Sequence, residues 1–294
     1  MFIVMPELPE VETVRRGLEG VLVGKRITRL DQRRADLRMP LPENFAARVE
    51  GRRVVALERR AKYMLVRLDD DQVWLIHLGM SGRMGILPIG HNHPPPGPHD
   101  HVSFETEEGV MVRFNDARRF GLMTLCSSAE LASHPLIRDL GPEPLDAAFT
   151  GQVLAAALKG KRTPIKSAIL DQRVVAGIGN IYACESLYYA GISPKRLAHT
   201  VQGERANRLV EAIKHVLIAA IAAGGSTLRD HIQPSGELGY FQHNFAAYDR
   251  EGQPCRHCED LVANRGRSKA SAPGIVKRII QAGRSTFYCA LHQR

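Results

Sequence analysis

The spacing of the hydrophobic residues changes along the chain, and this change limits the folds that the chain can adopt. Near the start, apolar side chains recur every three or four positions, at Leu8, Val11, Val14, Leu18 and Leu22. This spacing predicts an amphipathic helix over residues 7–22. Pro6 and Pro9 suit the start of that helix, and Gly24 suits its end.

The next hundred residues predict short strands instead of helices. Apolar, β-prone runs lie at residues 53–57, 63–68, 73–78, 101–106 and 110–114, and turn-forming residues separate them. Strands this short and closely spaced are typical of a β-sandwich or barrel. We therefore expect an α+β protein in which an N-terminal helix accompanies a β-sandwich or barrel.

Helical patterns dominate after a Pro-bounded linker at Pro135–Pro144. Predicted helices begin at Thr163 and end near Val175, run from Asn180 (as the capping residue) to Gly191, and cover about Glu204 to Ala223. Short strands return among cysteines after Tyr240. The expected domains are a β-rich domain at 6–134, a linker at 135–150, a helical domain at 151–240 and a hairpin at 241–294.

The charge balance points to a polyanionic partner. The 294 residues carry a net charge of +9, which is typical of proteins that bind nucleic acid, although such an excess also serves solubility. The longest strongly apolar stretch, residues 216–223, is far shorter than the ~20 residues of a membrane helix. The N-terminus has no secretion signal, so we expect a cytoplasmic chain whose five cysteines are thiols or metal ligands.

The segment Met5-Pro-Glu-Leu-Pro-Glu-Val-Glu-Thr13 carries a possible nucleophile. If Met5 is the initiator and is removed, Pro6 becomes a free secondary amine, and such an amine is partly neutral at pH 7. It could attack an aldehyde-like carbon and form an iminium, with Glu7 and Glu10 moving protons beside it. Within a longer chain the same nitrogen is an amide with no usable lone pair. The segment also has a purely structural explanation, because proline and acidic residues are both favoured at the start of a helix.

This segment closely resembles the N-terminus of formamidopyrimidine-DNA glycosylases, bacterial repair enzymes that excise oxidised purines. The resemblance continues in the family's order through Arg59-Arg-Ala-Lys-Tyr63, His77-Leu-Gly-Met-Ser-Gly82, His99-Asp-His101, Asp116-Ala-Arg-Arg-Phe-Gly121, Leu140-Gly-Pro-Glu-Pro-Leu145, Gly177-Ile-Gly-Asn-Ile-Tyr182, Gly239-Tyr-Phe241 and Gly283-Arg-Ser-Thr-Phe-Tyr-Cys289. It implies a monomeric glycosylase and abasic-site lyase that acts on duplex DNA in the bacterial cytoplasm, at the nucleoid. The family's start also implies that Met1 to Val4 is an extension absent from the active protein.

The resemblance assigns the catalytic roles. Pro6 is the nucleophile and Glu7 assists at the sugar, while Lys62 donates a proton during elimination. Arg284 grips phosphates around the lesion through its guanidinium fork. From the residues alone, an ordinary solvated cation at a strand end is the favoured interpretation of Lys62.

The resemblance also assigns the DNA contacts. Removing a base from the duplex leaves a hole, which the family fills with residues matching Met80, Arg118 and Phe120. His99 and Lys161 contact DNA, and Asn180 clamps a phosphate at a helix N-terminus within a helix-two-turn-helix. Without the resemblance, Met80 and Phe120 would be interpreted as core residues.

Four residues near the C-terminus predict a structural zinc site. Cys255 and Cys258 form one half, and Cys289 with His292 forms the other, which gives a Cys3His ligand set. The family usually has cysteine at the position of His292 and a shorter hairpin, so residues 259–274 are interpreted as a disordered basic insert. The alternative is a finger held by packing without metal. Two further cysteines, Cys126 and Cys184, are expected to be buried thiols.

Two other functions stay open on the sequence. One is an endonuclease VIII-type enzyme that acts on oxidised pyrimidines, against which the Pro6–Pro9 start and the complete set of Met80, Arg118 and Phe120 both argue. The other is a non-catalytic, lesion-binding DNA protein, which would result if the extension before Pro6 were retained.

Overall fold

The computed structural model describes residues 5–87, 89–90, 93–226, 234, 238–264 and 274–294. The chain divides into two compact units, the first containing residues up to Asp139 and Ala220–Gln242, the second containing Leu140–Ala219 and His243–Arg294. On sequence, residues 220–240 are grouped with the helical domain. In the structure this range belongs instead to the first unit. One contact that holds it there is the hydrogen bond from the Ser226 backbone N–H to the Glu10 carboxylate, at 2.8 Å.

The first unit is a two-sheet sandwich with one long helix, as the hydrophobic pattern predicts. Its helices are α1 (Leu8–Leu22) and α2 (Phe45–Val49). Its strands are β1 (Ile27–Gln32), β2 (Val54–Arg60), β3 (Tyr63–Leu68), β4 (Gln72–His77), β5 (Arg83–Leu87), β6 (Asp100–Thr106), β7 (Met111–Asn115) and β8 (Leu122–Ser127). They form two antiparallel sheets of four strands, ordered β1-β6-β7-β5 and β2-β3-β4-β8.

The core of this unit lies between the two sheets. Trp74 on β4 is fully buried, and its ring centroid lies 5.2 Å from that of Phe104 on β6, in the opposite sheet. Phe45 of α2 packs on the other side of Trp74 at 5.3 Å. The predicted apolar face of α1 is buried in the same cluster. Because the two sheets share this core, the turns between their strands are held on a rigid support.

The second unit is mainly helical and carries one hairpin. Its elements are α3 (Gly151–Leu158), α4 (Ile165–Ile169), α5 (Asn180–Tyr189), most of α6 (Glu204–Ala222), α7 (Arg256–Asn264), β9 (Val276–Gln281) and β10 (Arg284–Cys289). The strands β9 and β10 pair antiparallel, as the hairpin pattern predicts. No helix among the described residues is both long enough and apolar enough to span a bilayer.

Three local predictions for this unit are wrong. The helix expected from Thr163 to Val175 ends at Ile169, because Gln172 and Ala176 bond to Gly141 and Pro142 instead of continuing it. Gly179, and not Asn180, is the N-cap of α5. The segment expected to be disordered from residue 259 continues as α7 to Asn264, and residues 265–273 lie outside the described residues.

Candidate functional site

The start of α1 holds two of the predicted catalytic residues. Pro6 and Glu7 are both buried there, and Glu7 is the N-cap of the helix. The Glu7 backbone N–H donates to the Glu10 carboxylate at 2.9 Å, in a capping box. The other Glu10 oxygen accepts the N–H of Ser226. Both Glu10 oxygens therefore hold backbone amides, which gives this residue a structural role beside Pro6 and Glu7.

Lys62 lies in the turn between β2 and β3, and an ion pair holds this hairpin against α1. The Lys62 side chain is 7% exposed, and Ala61 before it has a φ of 54°. Arg59 donates to the Glu12 carboxylate at 3.1 Å. Burial raises the pKa of Glu12, but hydrogen bonds from the neighbouring arginines outweigh this effect and hold the pKa below its usual value. The ionised Glu12 thus fixes the hairpin of Lys62 to the helix that begins with Glu7.

Met80, Arg118 and Phe120 lie on two turns that touch each other. A Cβ atom added to Gly79 would lie 2.2 Å from the backbone carbon of Phe120, so only glycine permits this approach. Phe120 is 40% exposed, and the Arg118 guanidinium lies 5.0 Å from its ring centroid. Met80 is half-buried. A core interpretation of Phe120 is therefore wrong. Because Met80, Arg118 and Phe120 lie on these adjoining turns, we call the three residues the wedge.

His77 supports the Met80 turn, a role that the sequence does not single out. Its Nδ1 accepts the Gly79 N–H at 2.9 Å, and its ring lies 4.9 Å from that of Tyr63. Burial, with the nearby charges of Lys62 and Arg38, lowers the pKa of His77 to about 4. A neutral imidazole is required for this bond, because only an unprotonated Nδ1 can accept a hydrogen.

His99 and His101 have different environments. His99 is exposed, as a DNA contact requires, whereas His101 is buried and its Nε2 lies 2.8 Å from the Asp116 carbonyl oxygen. Among the described residues, the two histidines do not belong to a cluster of metal-ligating groups. A metal site at this pair therefore has no structural support.

In the second unit, a buried lysine connects Asn180 to the hairpin that carries Arg284. Lys166 is fully buried and its Nζ donates to Asn180 Oδ1 at 2.6 Å, to the Ser285 carbonyl at 2.9 Å and to the Thr286 hydroxyl at 2.7 Å. Asn180 also donates to the Ser285 carbonyl at 3.1 Å. A buried ammonium requires such partners, and here they fix the two elements together. Sequence reasoning missed Lys166, whose apolar neighbours in α4 are the only signal.

The remaining predicted DNA contacts of this unit are accessible. Arg284 is exposed at the start of β10, directly after a two-residue turn in which Ala282 and Gly283 both have positive φ. Lys161 is half-buried between α3 and α4, and its carbonyl accepts the backbone N–H of His199 at 3.0 Å. Arg284 and Lys161 therefore belong to the second unit, whereas Pro6, Glu7 and Lys62 belong to the first.

Glu185 is a second buried charge that the sequence does not reveal. It lies on α5, is fully buried, and accepts backbone N–H groups of Ala246, Ala247 and Tyr248 at 2.7–2.9 Å. Burial raises the pKa of Glu185, and the three N–H donors oppose that shift. Glu185 therefore anchors residues 246–248, which precede Cys255 in the chain.

Three of the four predicted zinc ligands converge. The sulfurs of Cys255, Cys258 and Cys289 lie within 4.8 Å of one another, and all three are buried and free of disulfides. A Cβ on Gly274 would lie 2.6 Å from the Cys289 sulfur, so only glycine lets the backbone come so close. Closely spaced buried thiols of this kind fit a metal such as zinc.

The fourth predicted ligand, His292, is outside this cluster. Its Nε2 lies 2.7 Å from the Tyr188 carbonyl oxygen, and its ring centroid lies 3.9 Å from that of His257. The Tyr188 hydroxyl in turn lies 3.5 Å from the Cys255 sulfur. Cys126 and Cys184 are buried free thiols, as expected.

Two family models match most of the chain. The model described as the formamidopyrimidine-DNA glycosylase N-terminal domain matches residues 5–123. The model described as the formamidopyrimidine-DNA glycosylase H2TH domain matches residues 140–231. The first match covers the segments of Pro6, Lys62, Met80 and Phe120, and the second covers that of Asn180.

Similar proteins and structures extend over the full chain. Formamidopyrimidine-DNA glycosylases from Rhodospirillum centenum and Rhodospirillum rubrum are 57% and 55% identical, and the alignments cover 99% of this chain and 100% of each relative. The crystal structure of MutM (Fpg) from Thermus thermophilus has a TM-score of 0.82 at 37% identity, covering 98% of both chains. The Lactococcus lactis Fpg in complex with DNA containing an abasic site has a TM-score of 0.84 at 29% identity, covering 98% and 99% of the two chains.

Proposed function

This chain belongs to the formamidopyrimidine-DNA glycosylase family, and from that premise we propose that it is a base-excision repair enzyme for oxidised purines. Its substrate is duplex DNA containing 8-oxoguanine, formamidopyrimidines or abasic sites. Solved relatives bind abasic-site DNA and Fapy-dG DNA, which supports this partner. The reaction has two stages, removal of the base and cleavage of the strand.

The observation that carries the proposal is the arrangement at the start of α1. Pro6 and Glu7 open this helix, and the Glu12–Arg59 ion pair holds the hairpin of the buried Lys62 against it. The first unit thus supplies the nucleophile, the carboxylate and the ammonium group that an amine-based lyase requires.

The proposed mechanism begins with base flipping. Met80, Arg118 and Phe120 enter the duplex where the damaged purine leaves the stack, and Arg118 hydrogen-bonds the base left opposite. The Pro6 nitrogen attacks C1′ as the glycosidic bond breaks, and the base leaves with the bonding electrons and takes up a proton. The Pro6 nitrogen then loses its proton, and the C1′–O4′ bond breaks to give the iminium; Glu7 assists at the sugar by delivering a proton to O4′ as the ring opens.

Strand cleavage follows from the iminium that Pro6 forms. The positive nitrogen acidifies the C2′ proton, whose loss expels the 3′ phosphate in a β-elimination, and δ-elimination then expels the 5′ phosphate. Lys62 supplies a proton in the elimination, and Arg284 binds the phosphates with its guanidinium. Water then hydrolyses the iminium and releases the unsaturated sugar fragment from Pro6, which leaves a one-nucleotide gap with phosphates at both ends.

Binding of the DNA backbone is assigned to both units. His99 in the first unit, and Lys161 and Asn180 in the second, contact phosphates, Asn180 at the N-terminus of α5. The accessible positions of His99 and Arg284 support these roles. Such an enzyme acts on the chromosome in the bacterial cytoplasm, and we propose that it does so as a monomer.

The second unit holds one structural zinc ion in this proposal. Cys255, Cys258 and Cys289 would bind it. His292 remains the proposed fourth ligand on the sequence pattern: it lies outside the sulfur cluster, but with its Nε2 donating to the Tyr188 carbonyl its Nδ1 keeps a lone pair for the ion. When bound, the ion cross-links the start of α7 to the end of β10. Metal analysis tests this ligand set: the purified protein should contain one zinc, and Cys258→Ser should contain less. Full zinc content in Cys258→Ser would refute it.

The nucleophile is tested by trapping. Residues 1–5 must be absent for Pro6 to carry a free amine, so intact mass of the native protein should begin at Pro6. Borohydride should reduce the iminium and link the protein to 8-oxoguanine DNA. Pro6→Gly, and a protein with a blocked N-terminus, should trap little. Equal trapping by the blocked and free proteins would contradict the assignment of Pro6.

A nicking assay on 8-oxoguanine DNA, with thymine-glycol DNA as a control, separates the alternatives. An endonuclease VIII-type enzyme would prefer thymine-glycol DNA to 8-oxoguanine DNA, whereas a non-catalytic protein would bind abasic DNA without cutting it. The oxidised-purine activity is favoured because relatives that are more than half identical over the full chain are formamidopyrimidine-DNA glycosylases.

A further inference from the structure

We propose that Asp116 is a positioning residue that sets the geometry of the wedge formed by Met80, Arg118 and Phe120. Through that wedge it controls discrimination of the base opposite the lesion. This inference rests on the proposed function, and it concerns a residue that contacts neither the reacting sugar nor the metal in that proposal.

One buried carboxylate bridges the two turns of the wedge. Asp116 is fully buried, its Oδ1 accepts the Ser81 hydroxyl at 2.5 Å, and its Oδ2 accepts the Gly121 backbone N–H at 2.7 Å. Ser81 directly follows Met80, and Gly121 directly follows Phe120. The Ser81 oxygen also accepts the backbone N–H of Arg118 at 3.1 Å. Arg118 therefore bonds to the bridge directly, and Met80 and Phe120 each directly precede a residue that forms it.

The backbone of Asp116 connects the wedge to the segment of His99. Its N–H donates to the His99 carbonyl at 2.9 Å, and its carbonyl oxygen lies 2.8 Å from His101 Nε2. The backbone of Asp116 thus also positions His99, an expected DNA contact, relative to the wedge.

Close packing leaves this arrangement little freedom. A Cβ on Gly121 would lie 2.5 Å from the Phe114 ring and 2.9 Å from Asp116 Oδ2. A Cβ on Gly79 would overlap the backbone of Phe120. Turns packed at this distance move together, so a change at Asp116 displaces both.

Asparagine is the informative replacement because of its hydrogen-bonding groups. The carboxylate accepts from Ser81 and Gly121, whereas the asparagine amide has one oxygen and one NH2 group of about the same size. If the amide oxygen accepts from Gly121, the NH2 group faces Ser81, whose hydroxyl must then rotate and accept a second hydrogen bond beside the one from Arg118. The charge-assisted bond that Ser81 donated is lost, and that half of the bridge is weakened. Arg118 would be moved away from the position from which it can distinguish the opposite base.

The experiment compares Asp116→Asn and Ser81→Ala with two matched controls. Asp139→Asn removes an exposed carboxylate that pairs with Arg138, and Ser133→Ala removes an exposed hydroxyl bonded within its own turn. Single-turnover excision is measured on 8-oxoguanine opposite cytosine and opposite adenine. A second duplex carries a tetrahydrofuran abasic analogue opposite 2-aminopurine, whose fluorescence reports unstacking without any reaction.

Asp116→Asn and Ser81→Ala should each slow excision opposite cytosine by about tenfold and reduce the cytosine-to-adenine preference, while the controls match the wild type. Cleavage at a preformed abasic site should fall less, because no base has to be flipped. The double variant should be no slower than Asp116→Asn alone, since both residues belong to one bridge.

A purely structural role would lower thermal stability but leave the preference unchanged at a temperature where the variants are folded, and that result would overturn the inference. A control-like 2-aminopurine signal in both bridge variants would also overturn it. If the wild-type protein excises nothing, the proposed function fails; the tetrahydrofuran duplex still tests Asp116, since a weakened fluorescence change in Asp116→Asn supports its role.

Discussion

Acidification should destabilise this protein through His77 in particular. Burial near Lys62 and Arg38 lowers the pKa of His77 to about 4, whereas an ordinary histidine has a pKa near 6.5. As the pH falls below 6.5, the unfolded chain takes up this proton before the folded chain does. The stability linked to His77 is therefore complete above about pH 6.5 and is lost progressively down to about pH 4.

The size of the effect follows from the two pKa values. Between pH 7 and pH 5 the linked loss is about 2 kcal/mol, and below pH 4 it approaches about 3 kcal/mol. Protonation also removes the acceptor for the Gly79 N–H, which holds the turn of Met80. In the folded protein this protonation occurs near pH 4, so lesion excision should decline through His77 only as the pH approaches 4.

The measurement is urea unfolding of wild type and His77→Asn at pH 7 and pH 5. Asparagine keeps an acceptor for the Gly79 N–H but does not titrate, so the loss between the two pH values should be about 2 kcal/mol smaller in the variant. The control is His134→Asn, because His134 Nδ1 also accepts an N–H two residues ahead, from Leu136 at 3.2 Å. Equal pH dependence in wild type and His77→Asn would refute the reasoning.

Three further substitutions have expected outcomes. Gly79→Ala should destabilise the protein by about 3 kcal/mol or more in thermal unfolding, because the residue has a φ of 68° and its Cβ would overlap the backbone of Phe120; a near-normal melting temperature would contradict this. Glu185→Gln should cost about 2 kcal/mol in urea unfolding, since one buried N–H loses its acceptor, and an unchanged midpoint would count against that account. Lys166→Met should cost about 3 kcal/mol and also weaken binding to abasic-analogue DNA, because Asn180 Oδ1 loses its donor and only the Asn180 bond to Ser285 remains; unaltered binding by the folded variant would show that the link to Asn180 has no functional effect.

Elements with strong local patterns were predictable. The helix α1 and the strand β3 match their hydrophobic patterns closely, and the sandwich follows from the number and spacing of short strands. The strand β8 was not predicted. Nor were the strands β1 and β5, because β1 contains only two apolar residues and β5 contains a glycine. Their pairing with β6 and β7 determines them, and such pairing joins residues that are far apart in sequence.

Recognisable motifs assigned roles to the predicted reactive residues, whereas no motif assigned a role to the buried residues that hold them. Motif positions such as Pro6 and Lys62 are visible because short segments resemble a family. Lys166, Glu185 and Asp116 look like ordinary surface charges in the sequence, since one letter does not distinguish a buried charge from a solvated one. His292 was predicted from spacing, yet its ring bonds to Tyr188 outside the cysteine cluster.

The sequence by itself determined the class of fold, the order of its elements and the segments that carry the chemistry, because these depend on local spacing and residue type. Only the tertiary structure decided which charges are buried and what they hold. Lys166 meets Ser285 119 residues later, and Glu10 meets Ser226 216 residues later. Contacts over such separations exist only once the chain has folded, so no local pattern could specify them.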